Sequence, residues 1–259
     1  NLMRTGQMPS SSQELRIKSR KKAVISLSAA EKSKAIESVL DILPGSLILN
    51  SSPVITLEFC TMLNNYSGVK IISEEERGFT KILAWGEDRS GLFASLAAGL
   101  ADLNVKIVTA NAYTLKDSRV MDVFHITDHN DQALLEKNHL NRIKAQLNKI
   151  LTNTLDVNVE NTINPDILMR ALPVSVKQHE SAGHNVTAIE VVAADRKGLL
   201  ATLASALLSE ELVLKGVSAS TFGEKAVDMF FLVSKNGARL SAQQTSGVID
   251  RLKAVARID

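Results

Sequence analysis

Gly86-Glu87-Asp88-Arg89-Ser90-Gly91-Leu92-Phe93 is the stretch on which the interpretation of this chain depends, because a second version follows 107 positions later. That second version reads Ala194-Asp195-Arg196-Lys197-Gly198-Leu199-Leu200. In both places an apolar run typical of a β-strand leads in, and leucines at helical spacing lead out. The glycine lets the backbone turn sharply between them. The sequence therefore predicts a strand, a tight turn and a helix, written twice.

The predicted turn is also a candidate ligand-binding site. The first turn of a helix presents unpaired N–H groups and a partial positive charge, which together favour a bound carboxylate. Two such turns in one chain predict two ligand-binding sites of the same kind.

Composition narrows the class of protein. The chain has 259 residues, of which 45% are hydrophobic and 22% charged, with a net charge of +2, which is typical of a soluble globular protein of one or two domains. This near-neutral balance argues against nucleic acid as the main partner. Cys60 is the single cysteine, which excludes an internal disulfide and fits a reducing, cytoplasmic compartment. No apolar run approaches the roughly 20 residues of a membrane span, so we expect no membrane contact. The chain begins at Asn1 rather than methionine, so we expect a piece of a longer protein.

Residues 1–66 read as helical. Three short helices are predicted there, and they make a thin core for independent folding. We interpret 1–66 as a connector that ends an upstream helical domain. A basic group between Arg16 and Lys22 is interpreted as a solvated helix face, because no aromatic residues are interleaved with it.

Two units of similar order follow, at residues 67–152 and 173–259, separated by a linker at 153–172. Each is predicted to contain a hairpin strand, the main strand, a helix, two strands and a last helix. Val69-Lys70 and Val176-Lys177 open the two hairpins at matching positions. Because no strand follows the last helix, the hairpin strand is expected at the sheet edge that the fourth strand of a ferredoxin-like unit occupies. The predicted fold is α+β: two ferredoxin-like units with four-stranded antiparallel sheets, each led by a β-hairpin, plus an N-terminal helical segment.

The doubled Asp-Arg-x-Gly-Leu turn resembles that of the ACT domain, a small amino-acid-sensing module. The pattern around it, including Met121-Asp122-Val123-Phe124 and Val227-Asp228-Met229-Phe230, is similar to the C-terminal portion of the bifunctional uridylyltransferase/uridylyl-removing enzyme family. The resemblance covers residues 30 to 257. One departure is that the family commonly has proline where this chain has Ser90 and Lys197.

The resemblance implies a glutamine-sensing regulatory region of an enzyme that modifies the PII signal protein. The partners it implies are the upstream catalytic domains, PII as the substrate of the parent enzyme, and a second ACT unit paired within or between chains. The parent would use magnesium and UTP, and no cofactor is expected in this chain. The family's nucleotidyltransferase and HD phosphohydrolase motifs are absent from these residues, so the chain resembles the sensor end only.

The resemblance also implies a ligand at the interface between units. Its carboxylate would meet backbone N–H groups in the turns, its ammonium an aspartate, and its side-chain amide a residue of the strand after the helix. The expected ligand-binding residues are Asp88, Arg89, Gly91, Leu92, Asn111, Asp195, Arg196, Gly198, Leu199 and Ser218.

Several alternatives stay open at this point. Asp88 and Asp195 would serve equally well as simple helix caps, a role worth about 1 kcal/mol, and the two turn arginines point either to solvent or to ligand. Asp122 and Asp228 are expected to pair with a strand neighbour or to lie on an exposed face, with a functional carboxylate at a buried edge as the alternative. His125 and His129 do not have the spacing of a metal pair, so we expect no metal site, and no constellation of side chains indicates catalysis. The competing function is an ACT-like pairing and docking module that binds no ligand.

Overall fold

The structure, a computed structural model, describes residues 10–29, 32–155, 173–179, 185–208 and 212–257. The chain divides into a helical unit, Asn1–Tyr66 with Leu115–Arg119, and a sheet unit, Ser67–Thr114 with Val120–Asp259. Most of the predicted linker, residues 156–172, lies outside the described residues, and the predicted boundaries between the two repeats stay a prediction. None of the helices described is both long and apolar enough to cross a membrane.

The helical unit contains one more helix than predicted. Its helices are α1 (Ser10–Leu27), α2 (Ser33–Ile42), α3 (Gly45–Asn50) and α4 (Pro53–Met62). Pro44 ends α2 as expected, but its extended backbone also serves as the N-cap of the short helix α3. The Ser52 side chain accepts a hydrogen bond from the Ile55 N–H, and proline at the first position of α4 suits a helix start.

The sheet unit repeats one order of elements. The first repeat contains β1 (Gly68–Glu74), β2 (Phe79–Glu87), α5 (Leu92–Asp102), β3 (Lys106–Thr114), β4 (Arg119–Thr127) and α6 (Lys137–Leu151). The second contains β5 (Ser175–His179), β6 (Thr187–Ala194), α7 (Leu199–Leu208), β7 (Leu212–Phe222), β8 (Lys225–Ser234) and α8 (Ala242–Ala256). This confirms the predicted α+β class and the hairpin that leads each repeat.

All eight strands form one sheet in the order β1-β2-β4-β3-β7-β8-β6-β5. The hairpin strands β1 and β5 lie at its two outer edges, the position predicted for them. At the centre, β3 pairs antiparallel with β7, with Asn111 opposite Ser218. The order reads alike from both ends, so each repeat presents the same features to the other across the β3–β7 seam.

The core lies between the sheet and helices α5 to α8. Helix α5 packs against α6 and α7, and α7 packs against α8. Every residue of α5 from Leu92 to Ala101 is buried, which agrees with a helix that is apolar on all sides.

A buried threonine repeats as well and helps to hold the core. Thr80 accepts a hydrogen bond from the Leu134 N–H (2.9 Å) through its Oγ1, and Thr187 accepts one from the Leu240 N–H (3.0 Å) in the same way. In each repeat this bond ties the beginning of the main strand to the segment that leads into the last helix, and it satisfies a hydroxyl that would be costly to bury alone.

Candidate functional site

The two Asp-Arg-x-Gly turns have the same backbone geometry. The Leu92 N–H donates to the Arg89 carbonyl oxygen (3.1 Å), and the Leu199 N–H donates to that of Arg196 (3.1 Å). Gly91 has φ 80° and ψ 0°, which are the values of the third residue of a type II turn. Gly198 has φ 79°. A glycine is favoured at both places because a side chain is strained at these angles.

The turn arginines line the cavities and also bond to the last helix of their own repeat. Arg89 Nη2 donates to the carbonyl oxygen of Ile150 (3.0 Å), near the end of α6. Arg196 donates from Nη1 to Ala256 (3.1 Å) and from Nη2 to Val255 (2.7 Å), at the end of α8. A cation there complements the negative end of the helix dipole. The arginines thus position each turn against the last helix of its own repeat.

The helix-cap interpretation of Asp88 is wrong. The N-cap of α5 is Gly91, which offers no side-chain hydrogen bond, and Asp88 lies three residues earlier. Asp88 is exposed. Partial desolvation raises its pKa, whereas a hydrogen bond from the Arg89 N–H and the positive charge of Lys215 lower it. Burial also raises the pKa of Asp195, against the charge of Lys106 and the N–H of Arg196. Both carboxyl groups lie beside the space next to their turn.

That space is a cavity in each repeat. The Asp88 cavity has a volume of about 510 Å³. Its walls come from both repeats: the turn and first residues of α5, the adjoining ends of β3 and β4, and, from the second repeat, α7 and the beginning of β7. The lining residues are Asp88, Arg89, Ser90, Gly91, Leu92, Phe93, Ala94, Ala112, Tyr113, Thr114, Val120, Asp122, Ala204, Leu208, Leu212, Val213, Leu214, Lys215, Gly216 and Lys235.

The Asp195 cavity has the same construction with the repeats exchanged and a volume of about 420 Å³. Its lining residues are Ala97, Ala101, Asn104, Val105, Lys106, Ile107, Val108, His129, Asp195, Arg196, Lys197, Gly198, Leu199, Leu200, Ala201, Ala219, Ser220, Thr221, Ala226 and Asp228. Both volumes fall in the range of small-molecule sites.

Backbone donors at the starts of α5 and α7 line both cavities. The Leu92 N–H is used inside the turn, whereas the N–H groups of Phe93 and Ala94 have no backbone acceptor among the described residues. Leu200 and Ala201 repeat this arrangement in the Asp195 cavity. These first-turn groups of α5 and α7 are the donors that suit a carboxylate.

For Asp122 and Asp228 the expectation of an exposed face is wrong. Their side chains are 2% and 4% exposed, and both line the cavities, so neither lies on an exposed face. In the strand register Asp122 pairs with Ala112, and Asp228 pairs with Ala219. Strand alternation was the missed signal: Asp122 shares a face with Phe124, which is fully buried.

The electrostatics of these two groups follow from their burial. Burial raises the pKa of Asp122 well above its usual value, and the nearby charge of Asp88 adds to the effect. Burial raises the pKa of Asp228 to about 7, with Asp195 adding and a hydrogen bond from the Ser220 N–H opposing. Each cavity therefore combines one carboxyl group at its mouth with one at its floor.

Asn111 and Ser218 lie outside the cavities. They stand opposite each other across the β3–β7 seam. The next pair along the two strands is Ala112 and Val217, and Val217 is buried in the core. Because successive side chains of a strand point to opposite faces, Asn111 and Ser218 lie on the face of the sheet away from the core. A ligand in either cavity would not touch them.

The rim of the Asp195 cavity carries a polar link between repeats. Lys197 Nζ donates to Asn104 Oδ1 (3.4 Å), and Asn104 Nδ2 lies 2.6 Å from His129 Nε2. Within the described part of the chain there is no group of three or more histidine, cysteine, aspartate or glutamate side chains that could hold a metal ion.

The chain is similar to a set of known proteins, although no family model matches it. It is similar to proteins called bifunctional uridylyltransferase/uridylyl-removing enzyme from Vibrio parahaemolyticus (31% identity over 185 residues, 71% of this chain and 21% of the relative) and Vibrio vulnificus (32% over 177 residues, 68% and 20%). It is also similar to the one from Gluconobacter oxydans (31% over 172 residues, 64% and 18%). The chain spans about one-fifth of the length of these relatives. The chain is therefore a homologue of one region of the bifunctional uridylyltransferase/uridylyl-removing enzymes.

Proposed function

We propose that this chain is an amino-acid-sensing regulatory region of a cytoplasmic enzyme that adds uridylyl groups to the PII protein and removes them, with glutamine as the ligand. The observation that carries the proposal is the pair of cavities between the repeats, each with helix N–H donors and carboxyl groups around a volume of about 420 or 510 Å³. The chain matches about one-fifth of its relatives, and in this proposal catalysis, with UTP, magnesium and PII, takes place in other parts of the enzyme.

A zwitterion suits the distribution of charge in the Asp88 cavity. Its carboxylate would accept hydrogen bonds from the N–H groups of Phe93 and Ala94, where the α5 dipole favours negative charge. Its ammonium group would lie against Asp88. The side chain would extend toward the wall that the second repeat supplies, around Leu208 and Leu212. The Asp195 cavity offers the same arrangement with the repeats exchanged.

Ligand binding would act on the arrangement of the two repeats, because each cavity draws its walls from both. A ligand shifts an equilibrium between two arrangements only through a difference in its affinity for them. Closing both walls around glutamine supplies such a difference. In line with the resemblance, we propose that high glutamine favours removal of uridylyl groups and low glutamine favours their addition.

Calorimetric titration of the chain with L-glutamine, with the other protein amino acids in parallel, tests the proposal. We expect heat of binding for glutamine. We also expect a rise of about 2.7 kcal/mol in the free energy of unfolding when glutamine is present at about 100 times its Kd. Asp88→Asn combined with Asp195→Asn should abolish both signals.

Asp250→Asn, an exposed change on α8, is the matched control and should leave both signals intact. No heat and no change of stability at millimolar concentrations of any amino acid would overturn the proposal. That result would favour the docking module that binds no ligand.

A further inference from the structure

The floor of each cavity holds a carboxyl group for which the fold provides no counter-charge. Asp122 is 2% exposed and lines the Asp88 cavity, and the charge that acts on it is that of Asp88, another carboxyl group. Asp228 has one partner, the N–H of Ser220. A buried carboxylate without a cation is strongly disfavoured, so each group keeps its proton unless a positively charged group binds beside it, and each cavity floor offers a place for such a group of a ligand.

The cations around the Asp88 cavity do not fill that role for Asp122. Arg89 donates to the Ile150 carbonyl oxygen, and Lys215 is exposed and acts on Asp88 at the mouth. Lys235 also lines the cavity, but the neighbouring charge that shifts the pKa of Asp122 is that of Asp88.

The cations around the Asp195 cavity are likewise engaged elsewhere. Arg196 donates to the end of α8. Lys106 Nζ lies 2.8 Å from Asp131 Oδ1, and Lys197 donates to Asn104, which also contacts His129. The same pattern, a floor carboxyl group near a mouth carboxyl group without a bonded cation, therefore occurs in both repeats at matching strand positions.

We propose that Asp122 and Asp228 are ligand-binding residues, each of which joins Asp88 or Asp195 in holding the primary ammonium group of the ligand. An ammonium group has three N–H donors, enough to bond both carboxyl groups and one further acceptor. A ligand of the same shape without the ammonium group would leave the pair unmatched. The cavities would thus select an α-amino acid over the corresponding 2-oxo acid. This inference rests on the proposed amino-acid-sensing function and names the group by which the site recognises its ligand.

Proton balance follows from the same geometry. Without ligand, the carboxyl group at each cavity floor keeps its proton, because burial and the neighbouring carboxyl group both oppose its ionisation. An ammonium group takes the place of that proton, so binding should release a proton to the buffer. With the pKa of Asp228 at about 7, release should be pronounced near pH 6, and affinity should rise between pH 5 and pH 7.

Titration with L-glutamine in two buffers of different ionisation enthalpy counts the protons released. We expect release by the wild-type chain at pH 6. Asp122→Asn and Asp228→Asn should each remove the release that belongs to one cavity and weaken binding there by about tenfold or more, as expected for a lost hydrogen bond to a charged group. The 2-oxo acid analogue of glutamine should bind far more weakly than glutamine to the wild-type chain, and Asp250→Asn should behave as wild type.

The outcomes separate this inference from the function on which it rests. If the wild-type chain binds glutamine without releasing protons, or both variants bind as tightly as wild type, the assignment of Asp122 and Asp228 is overturned while the sensing function stands. If the wild-type chain binds no glutamine, both are overturned together. A purely structural role for Asp122 is distinguished by urea denaturation: it predicts a lower midpoint for Asp122→Asn, whereas a ligand-binding role predicts an unchanged or higher one.

Discussion

Replacing Asp228 with asparagine tests whether a carboxyl group retains its proton inside the sheet unit. The side chain is 4% exposed, and burial raises its pKa to about 7, whereas an unfolded aspartate titrates near pH 3.9. Between those two pH values the unfolded chain releases a proton that the folded chain keeps. The free energy of unfolding should therefore fall as the pH rises through this window.

The size of the effect follows from the width of the window. The stability that the protonated group contributes is complete below about pH 4 and is lost by about pH 7. One pKa unit corresponds to about 1.4 kcal/mol, so from pH 5 to pH 7 wild type should lose about 3 kcal/mol relative to Asp228→Asn.

Urea denaturation of the ligand-free chain at pH 5, 6, 7 and 8 measures this difference. Trp85 is the sole tryptophan and is buried in β2 of the same unit, so its fluorescence reports the relevant unfolding. Asp250→Asn, exposed on α8, should follow wild type at every pH. Parallel pH dependence of wild type and Asp228→Asn would refute the reasoning, because it would mean that Asp228 titrates alike in the folded and unfolded chain.

Three further substitutions test the turn and the last helix. Arg196→Met removes two hydrogen bonds to the end of α8 and should lower the free energy of unfolding by about 1.5–3 kcal/mol; an unchanged urea midpoint would contradict this role. Gly91→Ala and Gly223→Ala both place a side chain at positive φ and should each lower the free energy of unfolding by about 1–2 kcal/mol. Only Gly91→Ala lies beside the Asp88 cavity, so only this variant should also show weaker glutamine binding in calorimetric titration. Ser241→Ala breaks the capping box of α8 and should lower the thermal midpoint, by about 1 kcal/mol of stability, whereas Ser246→Ala, exposed within the same helix, should leave it unchanged or slightly higher.

Part of the site could be predicted because it depends on short-range geometry. Gly91 and Gly198 mark turns whatever surrounds them, since their backbone angles are strained for other residues. Asp88 and Asp195 follow directly at the ends of strands, so their place beside a helix start is dictated by neighbours in sequence. The hairpin strands could be placed at the sheet edges because the repeat ends without a further strand.

Other parts of the site depend on residues that are far apart in the chain. Arg89 finds its acceptor 61 positions away at Ile150, so no local pattern distinguishes it from a solvent-exposed or ligand-binding arginine. Asn111 and Ser218 were expected to meet a ligand, but the β3–β7 pairing turns both to the face of the sheet away from the cavities. The short helix α3 was missed because Pro44-Gly45 ends one helix and begins another within two residues.

The sequence by itself determined the doubled strand–turn–helix, the α+β class and the hairpin-led order of strands, because these follow from periodicity and from backbone angles that few residues tolerate. Only the tertiary structure decided that Asp122 and Asp228 lie at the floors of two cavities walled by both repeats. The physical reason is that burial, and with it the protonation of a carboxyl group, is set by whatever packs over the strand, and for each cavity that cover comes from the opposite repeat.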